Sequence, residues 1–204
     1  MSTEQFVQAL KENAPRYEVQ LDARVIASLR AYFEIVQAWN ARLHLVAPCS
    51  PAEFATRHVL ESLLAAAHIG AGAHVADIGS GAGLPIIPCL ILRTDLRATL
   101  IEASQKKAIF LREALGAISL KERAKVVAAR FERTSAPDAN VITCRALERF
   151  TAYFSKILAW SPQAAKLILF GGPTLQAEIE KAKLAYAIQR IPDSEQRFVF
   201  IIKK

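Results

Sequence analysis

Residues 75–85 read Val-Ala-Asp-Ile-Gly-Ser-Gly-Ala-Gly-Leu-Pro. An apolar run, an acid and three alternate glycines describe a buried strand that ends in an unusually permissive turn. Gly79, Gly81 and Gly83 carry no Cβ, so a ligand can come very close to the main chain there. One glycine suffices for an ordinary turn, so three point to a bound group. The spacing is G-x-G-x-G, one residue shorter than the G-x-G-x-x-G of dinucleotide sites. Asp77 precedes the first glycine by two. It would repel a pyrophosphate and attract a cationic or amine-bearing ligand. One strand later Glu102 ends "ATLIEA", where an acid can accept hydrogen bonds from a ribose diol. Asp77, the three glycines and Glu102 together suit S-adenosylmethionine, which has a sulfonium, an amino acid end, a ribose and an adenine. NAD is the alternative that the glycine spacing disfavours.

The elements that must hold these residues alternate along the chain. From residue 73 short apolar runs ("HVADIG", "ATLIEA", "AKVVAA", "NVITCRA", "KLILF") alternate with helical patterns near 84–92, 105–115, 150–159 and 175–184. Such alternation predicts a parallel sheet with helices on both faces. "AYAIQRI" and "RFVFIIKK", joined by a loop with Pro192-Asp193, predict an antiparallel hairpin at its end. The fold class is therefore α/β: a Rossmann-like, mostly parallel seven-stranded sheet with a C-terminal antiparallel hairpin. Residues 1–72 read as a helical cap and 73–204 as the ligand-binding domain. In the cap, Val25, Leu29, Phe33 and Val36 share one helical face. Ser50-Pro51-Ala52-Glu53 is a helix start with a capping box, and that helix runs to about Ala67.

Composition narrows the function classes. The chain has 204 residues and is 52% apolar, which is enough for a real core and excludes a disordered tail. No apolar run reaches the ~20 residues of a membrane span, and no secretory signal pattern is present. Cys49, Cys89 and Cys144 form no metal-like pair, so no metal site is expected, and reduced thiols fit a cytoplasmic location. Net charge is +7. Residues 1–72 hold six Lys/Arg against seven Asp/Glu, and residues 73–204 hold twenty against twelve. A basic body suits a polyanion partner. The densest basic region comprises Lys106, Lys107, Arg112, Lys121, Arg123, Lys125, Arg130 and Arg133.

Five segments carry a resemblance to a known family. "WNARLHLV" (39–46), "RHVLESL" (57–63), "DIGSGAGLPIIP" (77–88), "LIEASQKKAIFL" (100–111) and "VITCRAL" (141–147) occur in this order. The chain resembles the RsmG (GidB) family, bacterial 16S rRNA guanine-N7 methyltransferases, from about Leu21 to Glu180. The resemblance implies a class I fold that binds S-adenosylmethionine and methylates 16S rRNA of the small ribosomal subunit, acting as a cytoplasmic monomer. It implies that Gly79 and Leu84 flank the methionine part and adenosine of the cofactor. It implies that Glu102 holds the ribose, and that Phe131 and Glu132 meet the adenine end. Arg145, at the end of the fourth strand, matches an arginine that faces cofactor and substrate, and is the candidate catalytic residue. The chain departs from the family at His44-Leu45-Val46, where Asn-Leu-Thr is usual. It departs again at Phe170, where a lysine precedes the glycine, and at Glu102, where Asp is common.

Guanine N7 already exposes a lone pair, so this chemistry needs positioning more than a base. No Asn/Asp-Pro-Pro-aromatic motif for exocyclic amines occurs. Pro48-Cys49 and Pro88-Cys89 resemble the Pro-Cys of C5-cytosine enzymes, but neither lies at a fourth-strand end, and all three cysteines read as structural. Arg145 could grip a phosphate or the guanine O6 edge; alternatively it pairs with Glu148 or a helix carboxylate. Arg57 and His58 either orient the sheet edge or a cofactor lid, or His58 is a satisfied interface histidine; Trp39-Asn40 is either a stacking platform for RNA or, at Trp39, part of the cap's core. Two rival functions stand beside rRNA methylation: methyl transfer to another acceptor, and a non-catalytic ribosome-assembly module that keeps the fold.

Overall fold

The computed structural model describes residues 2–145 and 150–204. Seven strands form one sheet: β1 (His74–Ile78), β2 (Arg97–Ile101), β3 (Ala124–Val127), β4 (Val141–Cys144), β5 (Lys166–Gly171), β6 (Tyr186–Arg190) and β7 (Phe198–Lys203). Their order is β3-β2-β1-β4-β5-β7-β6. The pairings among β1 to β5 are parallel, and β7 runs antiparallel to both β5 and β6. The terminal hairpin expected from the sequence is present, and its second strand inserts between β5 and β6. Strand order reverses between β1 and β4, the switch point where such sheets open a crevice beyond their carboxyl ends.

Strand side chains alternate between two apolar layers, as a sheet buried on both faces requires. Val75, Leu100, Val141 and Ile168 join one layer. Ile78, Ile101, Ile142 and Leu169 join the other, with Phe154, Ile157 and Ile179 from helices over that face. The helices after the strands are α4 (Ile86–Leu92), α5 (Gln105–Ala117), α6 (Phe150–Trp160) and α7 (Pro173–Lys181).

The cap contributes α1 (Ser2–Asn13), α2 (Ala23–Leu43) and a helical rod, α3, over 51–68. Val25, Leu29, Phe33 and Val36 are buried as their spacing predicts, and Phe6 stacks on Phe33 with ring centroids 4.4 Å apart. The cap shares one continuous apolar layer with α4, α5 and the adjacent sheet face. Trp39 packs edge-on against Phe110 of α5, which places it with the core rather than on a free platform. At the start of α3, Ser50 and Glu53 form the predicted capping box. The rod is not uniform: residues Phe54–Leu60 wind as a π-helix and Leu64–His68 as a 3-10 turn. No helix among the described residues is long and apolar enough to cross a membrane.

Candidate active site

Two clefts adjoin at the carboxyl ends of β1, β2 and β4. The first has a volume of about 330 Å³ and is walled by Gly79–Ala82, Leu84, Glu102, Arg145, His58 and the cap loop Leu45–Ala47. The second, of about 390 Å³, is lined by Ile78, Ala103, Arg130, Phe131, Glu132 and Tyr153. Gly79, Glu102 and Lys107 belong to both, so the two form one trough across the sheet edge.

The glycine loop shapes the trough through backbone conformation. Gly79, Gly81 and Gly83 all have positive φ, at 67°, 53° and 91°. At Gly83 a Cβ would lie 2.3 Å from Ile87 Cδ1, so close packing onto α4 adds to the φ requirement. Leu84 is buried at the loop's exit, and its peptide bond to Pro85 is cis.

Glu102 and Asp77 divide the work beneath this loop. Glu102 accepts the Gly81 N–H on Oε2 at 2.8 Å and the Ser104 N–H on Oε1 at 2.7 Å. It therefore staples the loop to the start of α5 while still lining the trough. Asp77 is fully buried and is not itself a cleft-lining residue. Its Oδ1 accepts the Thr143 hydroxyl at 2.7 Å from the register partner on β4. Its Oδ2 has no hydrogen-bond partner among the described residues. Burial pushes the Asp77 carboxyl up to about 7, against the pull of the Ser80 and Thr143 hydroxyls. A buried acceptor without a donor is costly and marks a place where a polar ligand or water completes the structure.

Phe131 and Glu132 sit in a short 3-10 turn after β3. Phe131 is buried and meets Tyr153 and Trp160 edge to face, at 6.2 and 5.7 Å between centroids. Glu132 is exposed on the rim. This end of the trough sets the apolar Phe131 and Tyr153 beside the charged groups of Arg130 and Glu132.

Arg145 lines the first cleft, but its guanidinium is already committed. Nη1 donates to the Ser62 hydroxyl at 2.9 Å and the His58 carbonyl at 3.2 Å. Nη2 donates to the Arg57 carbonyl at 2.5 Å and to Glu61 Oε2 at 3.1 Å. The Phe170 ring lies under it, 5.4 Å from guanidinium carbon to centroid. The π-helical turn explains how one arginine reaches two rod carbonyls. Widening a helix by one residue per turn turns main-chain acceptors away from the ordinary ladder, and an inserted side chain can then satisfy them. Glu61 is 1% exposed and also accepts from Arg197 at 2.5 Å, so it sits between two guanidinium groups. Burial raises its carboxyl, and the two arginines oppose that shift. The helix carboxylate that pairs with Arg145 is thus Glu61. Glu148, the other carboxylate the sequence offered, lies outside the described residues, as do Ala146 and Leu147.

One positioning residue, Tyr32, escaped the sequence reading, and a second, Asn40, has a role other than the RNA platform expected of it. Tyr32 of α2 donates its hydroxyl to the Ala82 carbonyl at 2.7 Å, tying the cap to the glycine loop. It lies on the same helical face as Leu29 and Val36, and a tyrosine on a core face asks for a polar partner. Asn40 accepts the Val46 N–H at 3.0 Å on its side-chain oxygen and so folds the loop that walls the first cleft. The basic region does not act as one patch. Lys107 and Arg130 reach the trough, whereas Arg123 is spent on the carbonyls of Leu90, Arg93 and Leu96. Lys121 and Lys125 line a separate pocket at the opposite end of the strands. Cys89 and Cys144 are buried, and burial pushes the Cys89 thiol up to about 12, so neither presents a thiolate. Among the described residues no cluster of His, Cys, Asp or Glu could hold a metal ion.

The GidB family, described as rRNA small subunit methyltransferase G, matches residues 25–200. The chain belongs to this family. A ribosomal RNA small subunit methyltransferase G from Xanthomonas axonopodis pv. citri is 43% identical over 129 residues, 63% of this chain and 60% of that protein. The chain thus spans under two thirds of the length of that relative. The one from Gluconobacter oxydans is 37% identical over 158 residues, 76% of this chain and 78% of that protein. The one from Sorangium cellulosum is 35% identical over 179 residues, 84% and 74%. Among solved structures, a Bacillus cereus O-methyltransferase in complex with SAH superposes with a TM-score of 0.58 at 19% identity, covering 91% of this chain and 93% of that one. The mitomycin 7-O-methyltransferase MmcR gives 0.62 at 18%, covering 88% and 66%. At these identities the likeness establishes the fold, that of class I S-adenosylmethionine-dependent methyltransferases.

Proposed function

We propose that this chain transfers the methyl group of S-adenosylmethionine to N7 of a guanine in 16S rRNA of the small ribosomal subunit. The observation that carries the reading is the trough: a glycine loop at the switch point, with a buried carboxylate beneath it that has one oxygen unpaired among the described residues, and the Phe131 ring at its far end. Family membership supplies the ribosomal acceptor, and the geometry fits the donor. The first cleft would take the amino acid end above Asp77, whose Oδ2 lacks a donor. Glu102, common to both clefts, would meet the ribose, and Phe131, Glu132 and Tyr153 the adenine.

The bound cofactor supplies an electrophilic methyl group. The residues of this chain bind, orient and exclude water. Gly79–Leu84 fix the floor, Tyr32 and Glu102 hold that floor in place, and Leu45–Ala47 close one side with apolar side chains. N7 carries its lone pair at neutral pH, so no side chain has to remove a proton. Positioning and water exclusion alone contribute large factors to such displacements. Buried thiols without thiolate character fit a transfer that needs no nucleophilic cysteine. Lys107 and Arg130 at the rim fit a phosphate-bearing acceptor.

Radiolabelled transfer to small subunits that lack native N7 methylation, followed by chemical cleavage at 7-methylguanosine, tests the whole reading. A label at one cleavable guanosine is expected. Cofactor binding without transfer would move the assignment to another acceptor or to a non-catalytic assembly module.

A further inference from the structure

The first cleft contains a polar side chain, His58, that neither the methyl donor nor the frame of the site uses. His58 lies on the π-helical turn and lines this cleft together with Gly79–Ala82 and Lys107. Its main chain is pinned, because the His58 carbonyl accepts from Arg145 Nη1 and from the Ser62 hydroxyl, the latter at 2.5 Å. Its ring is held against Phe54, with centroids 5.3 Å apart. Among the described residues neither ring nitrogen has a hydrogen-bond partner. A main chain and ring this firmly placed, with both nitrogens uncommitted in a ligand cleft, present a recognition group rather than a packing group.

We propose that His58 is a specificity-determining residue that donates a ring N–H to the O6 atom of the acceptor guanine and so presents N7 to the donor. The assignment rests on the guanine-N7 reading above. The edge of guanine that carries N7 also carries O6, and both are acceptors. A donor beside the reacting atom matches that edge without blocking N7.

The charges around His58 fix its protonation. Arg57 on its own rod, Arg145 from the end of β4 and Arg197 from the loop before β7 all oppose a second positive charge, and Glu53 alone favours one. With burial as the largest influence, the imidazole is pushed down to about 4. At neutral pH it therefore has one N–H and one lone pair. That state suits the reaction. The N7 lone pair forms the new carbon–nitrogen bond, and the carbon–sulfur pair returns to sulfur. The positive charge leaves sulfur and arrives on the purine, and no proton moves. An imidazolium beside O6 would oppose the arriving charge, whereas a neutral donor holds the edge and adds none.

The test compares His58→Leu, His58→Asn and His58→Gln. Asn places an amide donor near the Nδ1 position and Gln near Nε2. Methyl transfer to unmethylated small subunits, cofactor affinity by calorimetry and binding of small subunits without cofactor are measured for each. His58→Leu is expected to lower kcat about tenfold or more, the usual worth of one well-placed donor, with cofactor affinity within about twofold of wild type. One amide variant is expected to recover much of the loss and so identify the donating nitrogen. Nitrogen-15 spectra of the wild-type imidazole, without cofactor, are expected to show a single neutral tautomer from pH 8 to pH 6. Wild-type transfer by His58→Leu would overturn the assignment alone. So would parallel loss of cofactor affinity and rate, which is the signature of a packing residue. Absence of 7-methylguanosine with the wild-type protein would overturn the guanine reading itself.

Discussion

The phenolic hydroxyl of Tyr32 donates to the carbonyl oxygen of Ala82 across 2.7 Å, and Tyr32 is completely buried. A cap helix thereby fixes the middle of a loop whose glycines leave it little rigidity of its own. Tyr32→Phe keeps the ring and strands a buried carbonyl. An unpaired buried acceptor costs about 1–3 kcal/mol. The expected outcome is a lower melting temperature together with several-fold weaker cofactor binding, measured by thermal shift and calorimetry. Loss of stability with unchanged affinity would separate the cap from the cofactor site.

Much of this arrangement was legible in the sequence. The strands fall where the apolar runs lie, and the glycine loop and Glu102 meet in one trough. These are local signals: a period-2 run, a G-x-G-x-G and an acid at a strand end. Phe131 and Glu132, which line the same trough, were singled out by the family resemblance alone. What stayed hidden depends on long-range pairing. Arg145 meets Glu61 across 84 positions, and Tyr32 meets Ala82 across 50. Neither has a spacing rule, because each contact is set by how the cap lands on the sheet. The π-helical turn was illegible for the same reason, since its freed carbonyls are satisfied by an arginine from a distant strand. Asp77 was read as lining the ligand site. Its residue type predicts charge and its neighbours predict a ligand, but only the packing shows it beneath the loop with one oxygen unpaired.

Asp77 is expected to make cofactor binding pH-dependent. Its folded pKa, raised to about 7 from an ordinary 3.8, means the apo protein holds a proton that the unfolded chain has already released. That preference stabilises the fold below about pH 4 and is lost as pH rises through about 7. An amine ligand favours the ionised form, so binding expels this proton. Affinity for S-adenosylmethionine is expected to rise up to tenfold per pH unit below about 7 and to level off above it. Calorimetry at pH 6.5 in two buffers of different ionisation enthalpy would show proton release. Asp77→Asn is expected to stabilise the apo protein at pH 8, weaken cofactor binding and abolish the pH dependence. A pH-independent wild-type affinity would contradict the assignment of the amine to Asp77.

Gly83 is constrained twice, by a φ of 91° and by Ile87. Gly83→Ala places a methyl group 2.3 Å from Ile87 Cδ1, closer than packed carbons approach. The buried Ile87 side chain must turn away, α4 must shift or the loop must open. Gly70→Ala, at a position with nothing within 4 Å of the added carbon, is the control. Gly83→Ala is expected to lower both the melting temperature and cofactor affinity, and Gly70→Ala to leave both near wild type. Equal behaviour of the two variants would remove the loop's geometry from the account.

Glu61 and Arg145 form the ion pair that holds the rod against the sheet, and the two sides are not equivalent. Removing Glu61 leaves the buried Arg145 and the half-exposed Arg197 without their shared carboxylate. Breaking a buried pair by deleting one partner costs about 3–5 kcal/mol. Glu61→Gln is expected to destabilise the fold strongly and to disorder the first cleft. Arg145→Ala leaves Glu61 still paired with Arg197, but it strands the carbonyl of Arg57 and removes one of two partners from the His58 carbonyl and from the Ser62 hydroxyl, which stay bonded to each other. Arg145→Lys keeps the charge and loses the planar fork that serves four acceptors at once. It is therefore expected to recover little of the stability lost in Arg145→Ala. Denaturant midpoints rank the three variants, and single-turnover transfer on the folded fraction separates architecture from chemistry. Wild-type stability in Arg145→Ala with transfer abolished would show that the guanidinium leaves the rod and touches the substrate. Parallel loss of stability and transfer would show that it acts as the strut seen here.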